Sequence, residues 1–78
     1  MQRKIWEILH GINPKIEENA EEDLLEAGFI DSFQIVNIVM ELESEFEIEL
    51  DPELITPDNF RTISSITTLI ENLINGEA

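Results

Sequence analysis

Few residues of this chain could do chemistry, and the most suggestive stands alone. Ser32 lies in Gly28-Phe29-Ile30-Asp31-Ser32-Phe33-Gln34-Ile35-Val36, where loop composition gives way to helical periodicity. A serine hydroxyl acts as a nucleophile only with a general base beside it and donors for the developing oxyanion. The chain offers one histidine, His10, at the far end of a long loop, and no cysteine. Asp31 adjoins Ser32, but a carboxylate alone activates serine weakly. The local sequence is also not the Gly-x-Ser-x-Gly elbow of a hydrolase. No residue is therefore assigned a catalytic role, and any chemistry at Ser32 must be driven by another protein.

Two helix registers are open at this point. With Asp31 as N-cap, Gln34 falls three residues later and completes a capping-box arrangement. Ser32 is then the first helical residue, with a hydroxyl that capping does not need. With Ser32 as N-cap, Ile35 falls at that third position and no box forms. The first register is favoured. It projects a free hydroxyl at the positive end of a helix, where a phosphate ester would be stabilised by the dipole and nearby amides.

The helix that must position Ser32 is 32–46, SFQIVNIVMELESEF. At 100° per residue, Ile35, Ile38, Val39, Leu42 and Phe46 form one apolar stripe. Phe33, Val36 and Met40 fall nearly opposite, with Glu41, Glu43 and Glu45 on the flanks. Either the loop or the last helix buries this second face, or it is an exposed apolar patch rimmed by acid, which marks a protein interface. Phenylalanine and methionine suit a surface that meets several partners.

Around this helix the pattern is all-α. Residues 2–10 read as a short helix stopped by Gly11, with His10 in its last turn. Residues 12–31 read as a long loop opened by Asn13-Pro14 and pinned by Leu24, Leu25, Phe29 and Ile30. Thr56 and Pro57 start a short helix ending near Phe60. Thr62 caps a last helix over 63–74, with Ile63, Ile66, Leu69, Ile70, Leu73 and Ile74 as its apolar positions. The expectation is one domain over 1–78, three longer helices and one short one around a single core.

The chain has 78 residues, with 18 acidic against four basic and a net charge of −14. That field repels nucleic acid and anionic membrane surfaces and speeds encounter with basic partners. No apolar run approaches the roughly 20 residues that span a bilayer. No signal peptide is expected either, since IWEILHGI is short and carries Glu7. The chain is expected to be cytoplasmic and monomeric, with no nucleic-acid partner. No metal site is expected: His10 has no companion ligand, and the acidic runs lack the Asp-x-Asp-x-Asp-Gly order of a calcium loop.

DLLEAGFIDSFQIVNIVMELESEFEIEL resembles the attachment segment of the acyl carrier protein superfamily: an acidic-apolar loop, a glycine, two apolar residues, Asp-Ser, and an amphipathic helix ending Glu-x-Glu-Phe. The resemblance covers nearly the whole chain. It implies an acyl-carrier-like four-helix bundle with a long first loop. It implies that a phosphopantetheinyl transferase places 4'-phosphopantetheine from coenzyme A on Ser32, and that the arm carries an acyl or aminoacyl group as a thioester. Phe33, Val36, Met40 and Glu41 would then meet the transferase, the loading enzyme, and a downstream transferase or synthase. Asp31 would help position a metal–coenzyme complex during attachment. Phe33 replaces the family's usual leucine or methionine. The stretch LITPDNFRTISSI looks more like that of stand-alone D-alanyl or aminoacyl carriers than of fatty-acid carriers. If cargo enters the core, a gap is expected near Val39, Leu42, Ile63 and Ile66. The alternative function is an unmodified acidic helical interaction module that binds through Phe33, Val36 and Met40.

Overall fold

The structure, a computed structural model, describes residues 1–76. Glu77 and Ala78, the end of the expected domain, lie outside the described residues. Among the described residues four α-helices follow in chain order: α1 (Gln2–Ile12), α2 (Ser32–Phe46), α3 (Pro57–Phe60) and α4 (Ile63–Ile74). Among the described residues there is no strand. The fold is the acyl-carrier-like helical bundle that the sequence predicts.

The helix limits follow from local chemistry. α1 does not stop at Gly11, as expected, but runs on to Ile12. Asn13 ends it in an extended conformation, its amide still bonded to the Leu9 carbonyl. Pro14 is the cause, because the residue before proline is driven out of the helical region. Thr56 and Thr62 cap α3 and α4 as predicted, and Thr62 forms a reciprocal box with Ser65. Asp51 caps a single 3₁₀ turn over Pro52–Leu54.

α2 ends on Glu47, whose φ of 53° lies in the left-handed region. A residue with a Cβ is disfavoured there, and glycine is the usual choice. Glu47→Gly is therefore expected to stabilise the protein by about 0.5–1 kcal/mol. A urea midpoint that falls instead would show that the Glu47 side chain contributes more than the backbone strain costs.

The core is one cluster drawn from every helix and from the long loop. Ile5 and Leu9 of α1, Ile38 and Leu42 of α2, Phe60 of α3, and Ile66 and Ile70 of α4 are fully buried. Val39, Leu42, Ile63 and Ile66, where the sequence places an opening for cargo, are packed together in this cluster. Ile74, read as an apolar face position, is half exposed in the last turn of α4.

The long loop is packed onto the bundle by buried side chains and hydrogen bonds. The Cα radius of gyration is 11.3 Å, close to the roughly 11.5 Å of a folded chain of this length, so the loop lies against the bundle. Leu24 and Ile30 are buried as expected, Leu25 and Phe29 only partly. Ile16, which the sequence reading passed over, is fully buried. Trp6 Nε1 donates to the Ile16 carbonyl at 2.9 Å, and Asn13 Nδ2 to the Phe29 carbonyl at 2.9 Å. Farther along, the Leu24 amide donates to the Arg61 carbonyl, while the Arg61 guanidinium pairs with Asp23 at 3.4 Å and Asp58 at 3.0 Å. Gly28, with φ of 79°, turns the chain so that the Phe29 amide reaches back to the Leu24 carbonyl. This turn delivers Asp31 to the start of α2.

Candidate functional site

The site is the start of α2 and the face that follows it. Asp31 is extended, and its Oδ1 accepts the Gln34 amide at 2.9 Å. Gln34 Oε1 in return accepts the Asp31 amide at 3.0 Å. The Asp31 register is therefore the one adopted. Ser32 is the first residue of a 15-residue helix, exposed, and spared from capping. The first amides of α2 and its macrodipole make this end favourable to an anion.

The two faces of α2 separate cleanly. Ile35, Ile38, Val39 and Leu42 are buried and Phe46 is partly buried. Phe33, Val36 and Met40 are 86%, 57% and 61% exposed, and Glu41 beside them is also exposed. Neither the loop nor α4 covers this second face. An apolar strip next to a helix start, rimmed by acid, is what a partner can grip.

His10 is not brought to Ser32 as a base. Its Nδ1 lies 3.2 Å from the Ile16 carbonyl and its ring centroid 4.8 Å from that of Trp6. It anchors the loop instead. Among the described residues no group of three or more histidine or acidic side chains is arranged to hold a metal ion. No helix of the described residues is long and apolar enough to cross a membrane. Asn13 and Arg61, which steady the segment leading to Ser32, had no signal in the sequence beyond a helix break and an isolated cation.

The phosphopantetheine attachment site family matches residues 3–70. Among curated proteins, a D-alanyl carrier protein of Staphylococcus saprophyticus is 34% identical over 58 residues, 74% of each chain. Those of Lactococcus lactis and Leuconostoc citreum are 27% and 28% identical, over 91% and 95% of this chain and 92% and 96% of their own.

Proposed function

The chain belongs to the phosphopantetheine attachment site family and is a carrier protein with a covalent 4'-phosphopantetheine group, not an enzyme, and from that premise we propose that Ser32 is its attachment residue and D-alanine its cargo. One observation carries the first assignment: Ser32 is exposed at the positive end of α2, and Asp31 does the capping in its place. The group fits these residues. A phosphodiester on Ser32 would lie against unpartnered amides, where negative charge is stabilised.

In attachment, Ser32 Oγ attacks the phosphorus nearest the pantetheine in coenzyme A. The Oγ–P bond forms, the pyrophosphate P–O bond breaks, and 3',5'-ADP leaves. The hydroxyl proton passes to a base of the transferase, because no imidazole of this chain serves Ser32. When bound, the arm supplies the thiol that a cysteine-free chain lacks and holds the cargo as a thioester. Phe33, Val36, Met40 and Glu41 form the docking surface for the transferase, the loading enzyme and the acceptor transferase. We place the protein in the cytoplasm with its coenzyme A donor, as a monomer and a single carrier domain. The D-alanyl assignment is supported by the relatives' identities and by the long segment between α2 and α4.

Loading tests the cargo. Holo protein incubated with ATP, D-alanine and a D-alanine-activating enzyme is expected to gain one alanyl group, released by hydroxylamine. Loading by a fatty-acyl enzyme alone would overturn the assignment.

Asp31 has two roles to separate: cap, and carboxylate for the metal–coenzyme complex. Asn caps as well as Asp, so Asp31→Asn is expected to keep the melting temperature while slowing attachment about 10- to 100-fold, as loss of a metal-positioning carboxylate does. An unchanged rate would leave Asp31 as a cap only.

A further inference from the structure

Asn13, at the end of α1, is bonded through both atoms of its side-chain amide. Pro14 holds its backbone extended, with φ of −140° and ψ of 104°. Its Oδ1 accepts the Lys15 amide at 3.0 Å, and its Nδ2 donates to the Phe29 carbonyl at 2.9 Å. The pairing fixes the orientation of the group. A backbone N–H only donates and a carbonyl only accepts, so the oxygen must face Lys15 and the nitrogen Phe29. Aspartate has no donor for Phe29, and glutamine is one methylene too long for the same two partners.

The bond to Phe29 differs from the other ties of the long loop in where it lands. The amides of residues 25–30 all bond back to Asp23, Leu24 or Leu25. Asp31 and Gln34 bond to each other. These ties are local and move with the segment. Among the described residues, Asn13 makes the one hydrogen bond that reaches residues 25–34 from outside 23–46. Ile30 and Ile35 seat the same stretch on the core, at 3% and 9% exposure. Apolar burial is non-directional, however, and lets the segment rock. A hydrogen bond weakens steeply away from its preferred angle and so sets orientation.

We infer that Asn13 is a positioning residue for attachment: its bond to the Phe29 carbonyl holds the first turn of α2 so that the Ser32 hydroxyl meets coenzyme A in one place. The inference rests on Ser32 as the attachment residue and deepens that reading. Ser32 follows Phe29 by three residues, and both it and Phe33 are exposed, so their own side chains add little packing to steady the turn. Val36 and Met40 lie farther along α2, where Ile38, Val39 and Leu42 bury the helix. Docking of the transferase on that face is therefore independent of Asn13. The approach of Ser32 Oγ to phosphorus is not, because the attacking and reacting atoms must be held in line and close.

The test compares full-length, unmodified Asn13→Asp and Asn13→Ala with the parent, in attachment by a broad-specificity phosphopantetheinyl transferase with coenzyme A. Both variants lack the donor, and Asn13→Asp keeps the acceptor for Lys15. In both, kcat is expected to fall about five- to tenfold, the scale of one hydrogen bond, with KM for the carrier unchanged. Amide exchange at Gln34 and Ile35, which bond to Asp31, is expected to quicken by a similar factor. Trp6→Phe is the control. It removes a bond of the same length from α1 to the same loop, but one that lands on Ile16, far from Ser32 in the chain. That variant is expected to lower the melting temperature at least as much and to leave kcat unchanged. Unchanged kcat in both Asn13 variants, or a loss carried by KM alone, would overturn the proposal. So would an equal loss of kcat in Trp6→Phe, which would make Asn13 one structural tie among several. These failures leave Ser32 as the attachment residue. A parent that gains no phosphopantetheine would overturn Ser32 and this inference with it, so the two readings fail by different signs.

Discussion

Ser32→Ala is expected to abolish the gain of mass from coenzyme A and a broad-specificity phosphopantetheinyl transferase. The unmutated protein is expected to gain one phosphopantetheine. The effect should be all-or-none, because attachment requires an Oγ–P bond and alanine has no Oγ. It should also be clean. Asp31 and Gln34 make the cap between themselves, so the substitution leaves both reciprocal hydrogen bonds in place. Alanine is moreover the best intrinsic helix former. The Ser32→Ala protein should fold, melt at or slightly above the parental temperature, and remain unmodified. Modification persisting in Ser32→Ala would move the attachment point elsewhere. An unmodified parent that gains nothing from the reaction would leave Ser32 no role in attachment.

Phe60→Ala is expected to have the largest effect on stability. Phe60 is fully buried although its helix, α3, has only four residues. Such a helix is too short to persist by its own hydrogen bonds and is held by packing. Removing a buried phenylalanine costs about 3–5 kcal/mol. A chain of this length has roughly 4–12 kcal/mol in all, so the variant should lose about a quarter or more of its stability and unfold at a much lower urea concentration. The damage should spread, because Arg61, the next residue, holds Asp23 and the Leu24 amide of the long loop. Urea unfolding followed by circular dichroism measures the loss. A midpoint within experimental error of the parent would mean that α3 is not integral to the core.

The proposed docking surface would serve several enzymes. Phe33, Val36 and Met40 offer apolar area to any partner, and the acidic rim selects for basic ones. The negative rim also predicts that this recognition weakens with salt, since exposed charge pairs are screened.

Much of the fold was legible in the chain itself. α2 and α4 fall where their apolar periods and caps put them: Asp31 with Gln34, and Thr62 at the head of ISSITTLIENLI. These signals are local, because a cap and its amide lie three residues apart and a stripe repeats within one helix. The free hydroxyl of Ser32 could be argued from the same register. The end of α1 was misplaced because Gly11 was weighed above Pro14, although proline constrains its predecessor whatever glycine permits.

Other features needed the tertiary structure. The composition of α2 shows two apolar faces, but not which one lacks a cover. That depended on where the loop went, and the loop turned to α1, α3 and α4 through Trp6, Asn13 and Arg61 rather than over Phe33, Val36 and Met40. Likewise Gly11 reads as a helix stop, although α1 runs through it to Ile12. Sequence alone determined where helices begin, which faces are apolar, and which serine is left free. Tertiary structure decided which of those faces meet each other and which remain exposed, because that choice depends on contacts between residues far apart in the chain.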